Sequence, residues 1–307
     1  MRLPVIHHPD YQAPLHDGHT FPMSKYGYLR EVLVERGLTA PGDWLTPAPA
    51  TEAMFARAHD PAYVARVFSE TLSREEERRI GYSQSGRVTR RSQLASAGTL
   101  IAARFALETG IACNTAGGSH HARHEHGAGF CVFNDVAVAV RALQREGGMG
   151  PVAVIDCDVH QGDGTAAIFR GDPGVFTASL HAHGNYPFEK ETGDLDIALP
   201  DGSGDAAYLV ALSAMLDRVA REGPFSLAFY NAGVDVHADD RLGRLTLTDG
   251  GIRARDRRVL AWAQGRGLPL ACVLGGGYDS DRRRLAERHA ILFEEATATL
   301  DRRAKPA

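Results

Sequence analysis

Short apolar runs alternate along the chain with longer stretches of helical periodicity, and this alternation predicts the architecture. Residues 152–155, four apolar positions without a polar break, read as a strand buried on both faces. Residues 3–8, IACNTAG at 111–117, VFTASLHA at 175–182, the run 226–235 and PLACVLGGG at 269–277 read as further strands. Between them the pattern predicts helices over 22–36, from Asp60-Pro61 through Phe68, over 92–108, from an Asn134 cap through Arg145, over 205–222 with Leu209, Leu212, Leu216 and Val219 at helical spacing, from Thr248, and after Gly277. Residues 117–133 and the Pro/Gly-rich 39–49 read as loops. Strands alternating with helices predict an α/β fold, a parallel sheet with helices on both faces, built as one domain over 1–307.

In open α/β sheets ligands bind beyond the carboxyl ends of the strands. Four predicted strands end in reactive residues: His120 and His121, the run from Asp156 to Asp163, Asp235, and Tyr278. One shared cleft follows. Asp156, Asp158 and His160 stand at spacing two, so on an extended chain they project to one side. Carboxylate oxygen and imidazole nitrogen suit a divalent first-row ion, and a catalytic zinc keeps three protein ligands and an open position. Asp158 and His160 can supply two, and Asp235 is the candidate third. Asp156 and Asp163 remain to fix the tautomers of His120 and His121 and raise their basicity. A lone histidine is more often structural, so His7, His8, His124 and His126 are not assigned to the site.

Composition narrows the picture only a little. Charged residues at 23%, hydrophobic residues at 44% and a formal charge of −4 describe an ordinary soluble protein with no electrostatic reason to bind nucleic acid. The basic clusters 87–91 and 282–284 read as solvated helix faces. No run reaches the length of a membrane span and the first residues lack a signal-peptide core, so a cytoplasmic location is expected. Four dispersed cysteines in apolar surroundings read as buried thiols.

GGSHHA with GFCVFND, DCDVHQGDG, SLH, YNAGVD with DDRLGRL, and GGGY stand in the order found in zinc-dependent histone deacetylases and their bacterial relatives, and HTFPMSKYGYL and AHDPAYV extend the resemblance over nearly the whole chain. HQGDG and DRLG resemble the class IV branch. The resemblance implies the three-layer arginase/deacetylase fold with about eight strands. It implies zinc, or iron(II) in the cell, on Asp158, His160 and Asp235, with His120 supported by Asp156, His121 by Asp163, and Tyr278 as the catalytic tyrosine. It implies structural potassium held by Asp156 and Asp158 with backbone carbonyls around His160, Ser179 and Leu180.

The implied reaction is hydrolysis of an acyl-lysine amide by a metal-activated water. Gly129, Phe130, Tyr186, Leu242, Gly276 and Gly277 would border the substrate. Leu242 stands where some acetylpolyamine deacetylases carry an acidic gatekeeper, which points to acylated lysine in a protein or peptide rather than a small acylated amine. YSQSGRVTRRSQ at 82–93 lacks the backbone-anchoring aspartate of classes I and II, and a long fatty-acyl group is the alternative substrate. An arginase-type ureohydrolase would need two manganese ions, and a non-catalytic acyl-lysine binder would need neither His121 nor Tyr278. Oligomeric state is not legible.

Overall fold

A computed structural model describes residues 2–16 and 18–304; positions 1, 17 and 305–307 of the expected domain lie outside the described residues. In chain order the elements are β1 (Val5–Ile6), α1 (Lys25–Glu35), α2 (Glu52–Phe55), α3 (Pro61–Phe68), α4 (Arg74–Ile80), α5 (Gly86–Thr109), β2 (Ile111–Asn114), α6 (Asp135–Glu146), β3 (Val152–Asp156), α7 (Asp163–Phe169), β4 (Val175–Ala182), β5 (Leu195–Leu199), α8 (Asp205–Glu222), β6 (Leu227–Asn231), α9 (Asp249–Gly265), β7 (Leu270–Val273) and α10 (Arg282–Ala304). The strands form one sheet of order β1-β2-β7-β6-β3-β4-β5. Every pairing is parallel. Two packed series of helices, α1–α10–α9–α8 and α5–α6–α7, flank the sheet as the alternation predicts.

The central strands β2, β3, β6 and β7 are buried at every position, which is why they read as unbroken apolar runs. Several boundaries follow their caps. Asp60 accepts from the Tyr63 amide and starts α3 at Pro61, and Asn134 accepts from Ala137 and starts α6.

Other boundaries differ from the periodicity. The sheet has seven strands among the described residues where about eight are expected. Helix α5 begins at Gly86, capped by Ser85, so most of YSQSGRVTRRSQ is helix. Apolar spacing alone places the start at 92 because Arg90 and Arg91 look like surface. Arg91 is in fact buried, its guanidinium donating to the Tyr11 carbonyl and the Tyr26 hydroxyl, which corrects the solvated-face reading at that position. The periodicity also misses α4, a highly charged helix signed only by its Ser73–Glu76 capping box, and the edge strand β5, whose alternate residues are exposed. All four cysteines are buried free thiols, as expected.

Candidate active site

The register of β3 against its neighbours sets the site. Asp156, the last residue of β3, lies opposite Ser179 on β4 and Asn231 on β6. Beyond that point the chain leaves the sheet, and Asp158, His160 and Asp235 converge with one ligand atom each within 4.8 Å of one another. His160 Nδ1 lies 3.0 Å from Asp158 Oδ1 and 3.2 Å from Asp235 Oδ2. Backbone amides aim both carboxylates: Gly276 N–H donates to Asp158 Oδ2 at 2.6 Å, His160 N–H to Asp158 Oδ1 at 3.0 Å, and Val159 N–H to Asp235 Oδ1 at 3.0 Å. No Lys or Arg pairs with either carboxylate among the described residues.

Two buried carboxylates with only imidazoles for company, His160 between them and His120 Nε2 3.8 Å from Asp158 Oδ1, favour a bound cation. Burial opposes the charged imidazole, yet Asp158 and Asp235 push His160 up to about 10, while burial and the Asp158 charge push Asp235 up to about 7. The O, N, O donor set fits a first-row divalent ion.

The two adjacent histidines sit in contrasting environments. His120 Nδ1 meets Asp156 Oδ2 at 2.7 Å, and His121 Nδ1 meets Asp163 Oδ1 at 2.6 Å. Burial lowers both, but Asp156 and Asp158 overcome it at His120 and lift it to about 9. At His121 burial and the charge of His120 prevail over Asp163 and leave it at about 4. Arg123, bonded to Asp163 Oδ2 at 3.0 Å, draws part of that carboxylate's charge away. Their surroundings thus push the two imidazoles in opposite directions, His120 up and His121 down, with ring centroids 4.1 Å apart.

His120, His121, Asp158, Gly129, Phe130, Gly276 and Tyr278 line one cavity, together with Phe21, Tyr26, Arg91 and Cys131. The Tyr278 ring lies 5.9 Å from Phe130 and 6.2 Å from His160. Burial and the charges of Asp235 and Asp158 push its pKa far up, so its hydroxyl stays an O–H donor. Gly129 (φ 52°) and Phe130 (φ 66°) are both left-handed, and a Cβ on Gly129 would stand 2.5 Å from the His121 ring. For a bulky residue such as Phe130 that conformation costs roughly 1–3 kcal/mol, and it is held by the Ile80 carbonyl, which accepts from Phe130 N–H at 2.6 Å.

Tyr186 packs against the outer side of His121, ring centroids 4.9 Å apart, at 36% exposure. Leu242 is half-buried and stands outside the cavity lining; its carbonyl accepts from Asn185 Nδ2 at 2.7 Å. His124 is exposed and His126 half-buried. Three residues that sequence reasoning passed over also belong here. Asp240, inside the DDRLG string, accepts from the Tyr278 amide at 2.6 Å; Arg91 lines the cavity; Lys25 holds the Gly275 carbonyl at 3.0 Å. Lys25 had a readable signal, since it shares the i, i+4, i+7, i+8 stripe with Leu29, Val32 and Leu33.

A histone deacetylase domain matches residues 19–293. The chain belongs to the histone deacetylase family. Its family relatives include an uncharacterized protein of Picosynechococcus sp., 43% identical over 96% of this chain and 99% of that one. Histone deacetylase 2 of Arabidopsis thaliana is 30% identical over 85% of this chain and 70% of its own length. The crystal structure of an HDAC homolog complexed with SAHA superposes with a TM-score of 0.81 at 22% identity, covering 98% of this chain and 89% of that one, which shows the shared fold. Membership makes the chain an amide-hydrolysing deacetylase of a metal-dependent family, and no helix among the described residues is long and apolar enough to cross a membrane.

Proposed function

We propose that the chain is a zinc-dependent lysine deacetylase of the cytoplasm, resembling class IV, that removes short acyl groups from lysine side chains. The observation that carries this reading is the convergence of two Asp-backed histidines, His120 on Asp156 at 2.7 Å and His121 on Asp163 at 2.6 Å, beside the Asp158–His160–Asp235 cluster in a cavity that Tyr278 also lines.

Asp158, His160 and Asp235 would hold the zinc, which when bound polarises an amide carbonyl and acidifies a water. Phe130 and Tyr186 enclose the thin aliphatic stem of the lysine and keep bulk water off the reacting amide. The Asp163 carboxylate fixes Nδ1 of His121 as a donor, which leaves Nε2 free to take the water proton and later deliver it to the departing amine. His120 stays charged on Asp156 and lends positive potential as negative charge develops nearby. The Tyr278 O–H donates to the substrate oxygen most strongly when that oxygen carries charge, so it favours the transition state over the bound amide. Potassium on Asp156, Asp158 and the carbonyls around His160, Ser179 and Leu180 belongs to the same reading.

The cavity offers only about 30 Å³ of free space, and Arg91 and Tyr26 in its wall are already bonded to each other, which favours a short acyl group over a long aliphatic chain. The test is mass-spectrometric turnover of matched acetyl-lysine and myristoyl-lysine peptides and an acetylpolyamine, with a Tyr278→Phe control. Acetyl-lysine should be preferred and its turnover lost in the control. Preference for myristoyl-lysine or for the polyamine refutes the substrate assignment, and inertness toward all three refutes the activity.

A further inference from the structure

Helix α1 turns Tyr26, Leu29, Val32 and Leu33 into the core, and Lys25 goes with them, fully buried. Methionine or leucine would serve helix packing there without the desolvation of an ammonium. Among the described residues no carboxylate pairs with it. Its Nζ donates to the Gly275 carbonyl at 3.0 Å and stands 5.6 Å from the Phe21 ring centroid, 5.5 Å from that of Tyr26 and 5.9 Å from that of Tyr278. Burial and the Arg91 charge push the ammonium's pKa down, and the fields of Tyr26, Asp235 and Asp158 push it only part of the way back. A carbonyl dipole, three π faces and a distant pair of acids thus offset part of the burial.

The atom Lys25 grips is part of the segment that carries Tyr278. Four bonds hold that segment from the strand ends: Gly275 N–H to the Gly117 carbonyl at 3.2 Å, Gly276 N–H to Asp158 Oδ2 at 2.6 Å, Val234 N–H to the Gly276 carbonyl at 2.9 Å, and Tyr278 N–H to Asp240 Oδ2 at 2.6 Å. Lys25 reaches the segment instead from α1. We infer that Lys25 is a positioning residue for Tyr278: it clamps the Gly275 carbonyl, sets the phenol over the cavity, and stations a fixed positive charge beside the ring. That charge strengthens the phenol as a hydrogen-bond donor just as negative charge grows on the substrate oxygen. The inference rests on the amidohydrolase reading above.

The experiment uses metal-loaded full-length protein and the variants Lys25→Met, Lys25→Arg, Tyr278→Phe and the Lys25→Met/Tyr278→Phe double. It reads kcat and KM on an acetyl-lysine peptide, and affinity for a trifluoromethyl ketone analogue whose hydrate mimics the tetrahedral species. Lys25→Met should lower kcat by about 10- to 100-fold with KM within about two-fold, weaken the ketone in proportion, and retain one metal per chain. Lys25→Arg should recover part of the loss. In the Tyr278→Phe background Lys25→Met should change ketone affinity by less than about two-fold, because the group it acts through is already gone.

Equal effects of Lys25→Met in both backgrounds, or unchanged kcat, overturn the inference while leaving the hydrolase reading intact. Wild-type protein inert toward every amide overturns the hydrolase reading itself. If Lys25→Met fails to fold, Lys25→Gln, which keeps an N–H donor without the charge, is read by the same criteria.

Discussion

His59 links the stability of the protein to pH through the loop that carries His120 and His121. It is fully buried, and both ring nitrogens are committed: Nδ1 lies 2.8 Å from the Arg123 carbonyl and Nε2 accepts from Asn134 N–H at 3.0 Å. Only the neutral ring with its proton on Nδ1 satisfies both contacts, which tie Arg123, just after the histidine pair, to the start of α6. Burial lowers its pKa from 6.5 to about 4. Below pH 6.5 the unfolded chain therefore takes up a proton that the native chain refuses. The stabilisation is complete above 6.5 and is lost as pH falls toward 4.

The difference amounts to about 3 kcal/mol in full and roughly 2 kcal/mol by pH 5. Urea unfolding of wild type and His59→Gln at pH 7 and pH 5 measures it. Gln presents an amide donor and acceptor but does not titrate, so the wild type should lose roughly 2 kcal/mol more than the variant between the two pH values. His7, also buried and depressed to about 3, contributes equally to both proteins and cancels. Identical pH dependence in the two would refute the neutral, doubly bonded assignment of His59.

Removing the metal with a chelator should abolish turnover and lower Tm, because Asp158 and Asp235 then face each other with only imidazoles to share their charge; calorimetry before and after re-addition checks this. Gly129→Ala should cost about 1–3 kcal/mol by unfolding and depress kcat, since the new methyl meets the His121 ring at a left-handed position. Asp163→Asn should reduce kcat by roughly 100-fold or more with a small change in KM, as His121 loses the carboxylate charge that supports its proton uptake; an intact kcat would remove His121 as general base.

Much of the site was legible because it depends on short-range facts. Spacing two in DxDxH survives any tertiary context, and an unbroken apolar run ending in acids marks a central strand and its reactive end together. Tyr278, His120 and Asp235 were reachable for the same reason, each standing just past such a run. The partners acting from elsewhere were not legible. Arg91 and Lys25 look like surface charges until the packing of α5 and α1 buries them, and Asp240 is one acid among several in a polar turn. Helix α4 and strand β5 escaped because one is charged all round and the other lies at an edge, where burial imposes little pattern.

The strand order also constrains how the chain can be made. Strand β7, the last strand among the described residues, lies between β2 and β6. Until it emerges from the ribosome, β2 and β6 present open parallel edges rather than pairing with it, and the histidine pair and the Asp235 turn hang from separate halves of an unfinished sheet. The nascent chain is therefore inert until its final strand slots home. Assembly of the site thus waits on a late, long-range pairing, the insertion of β7 between β2 and β6.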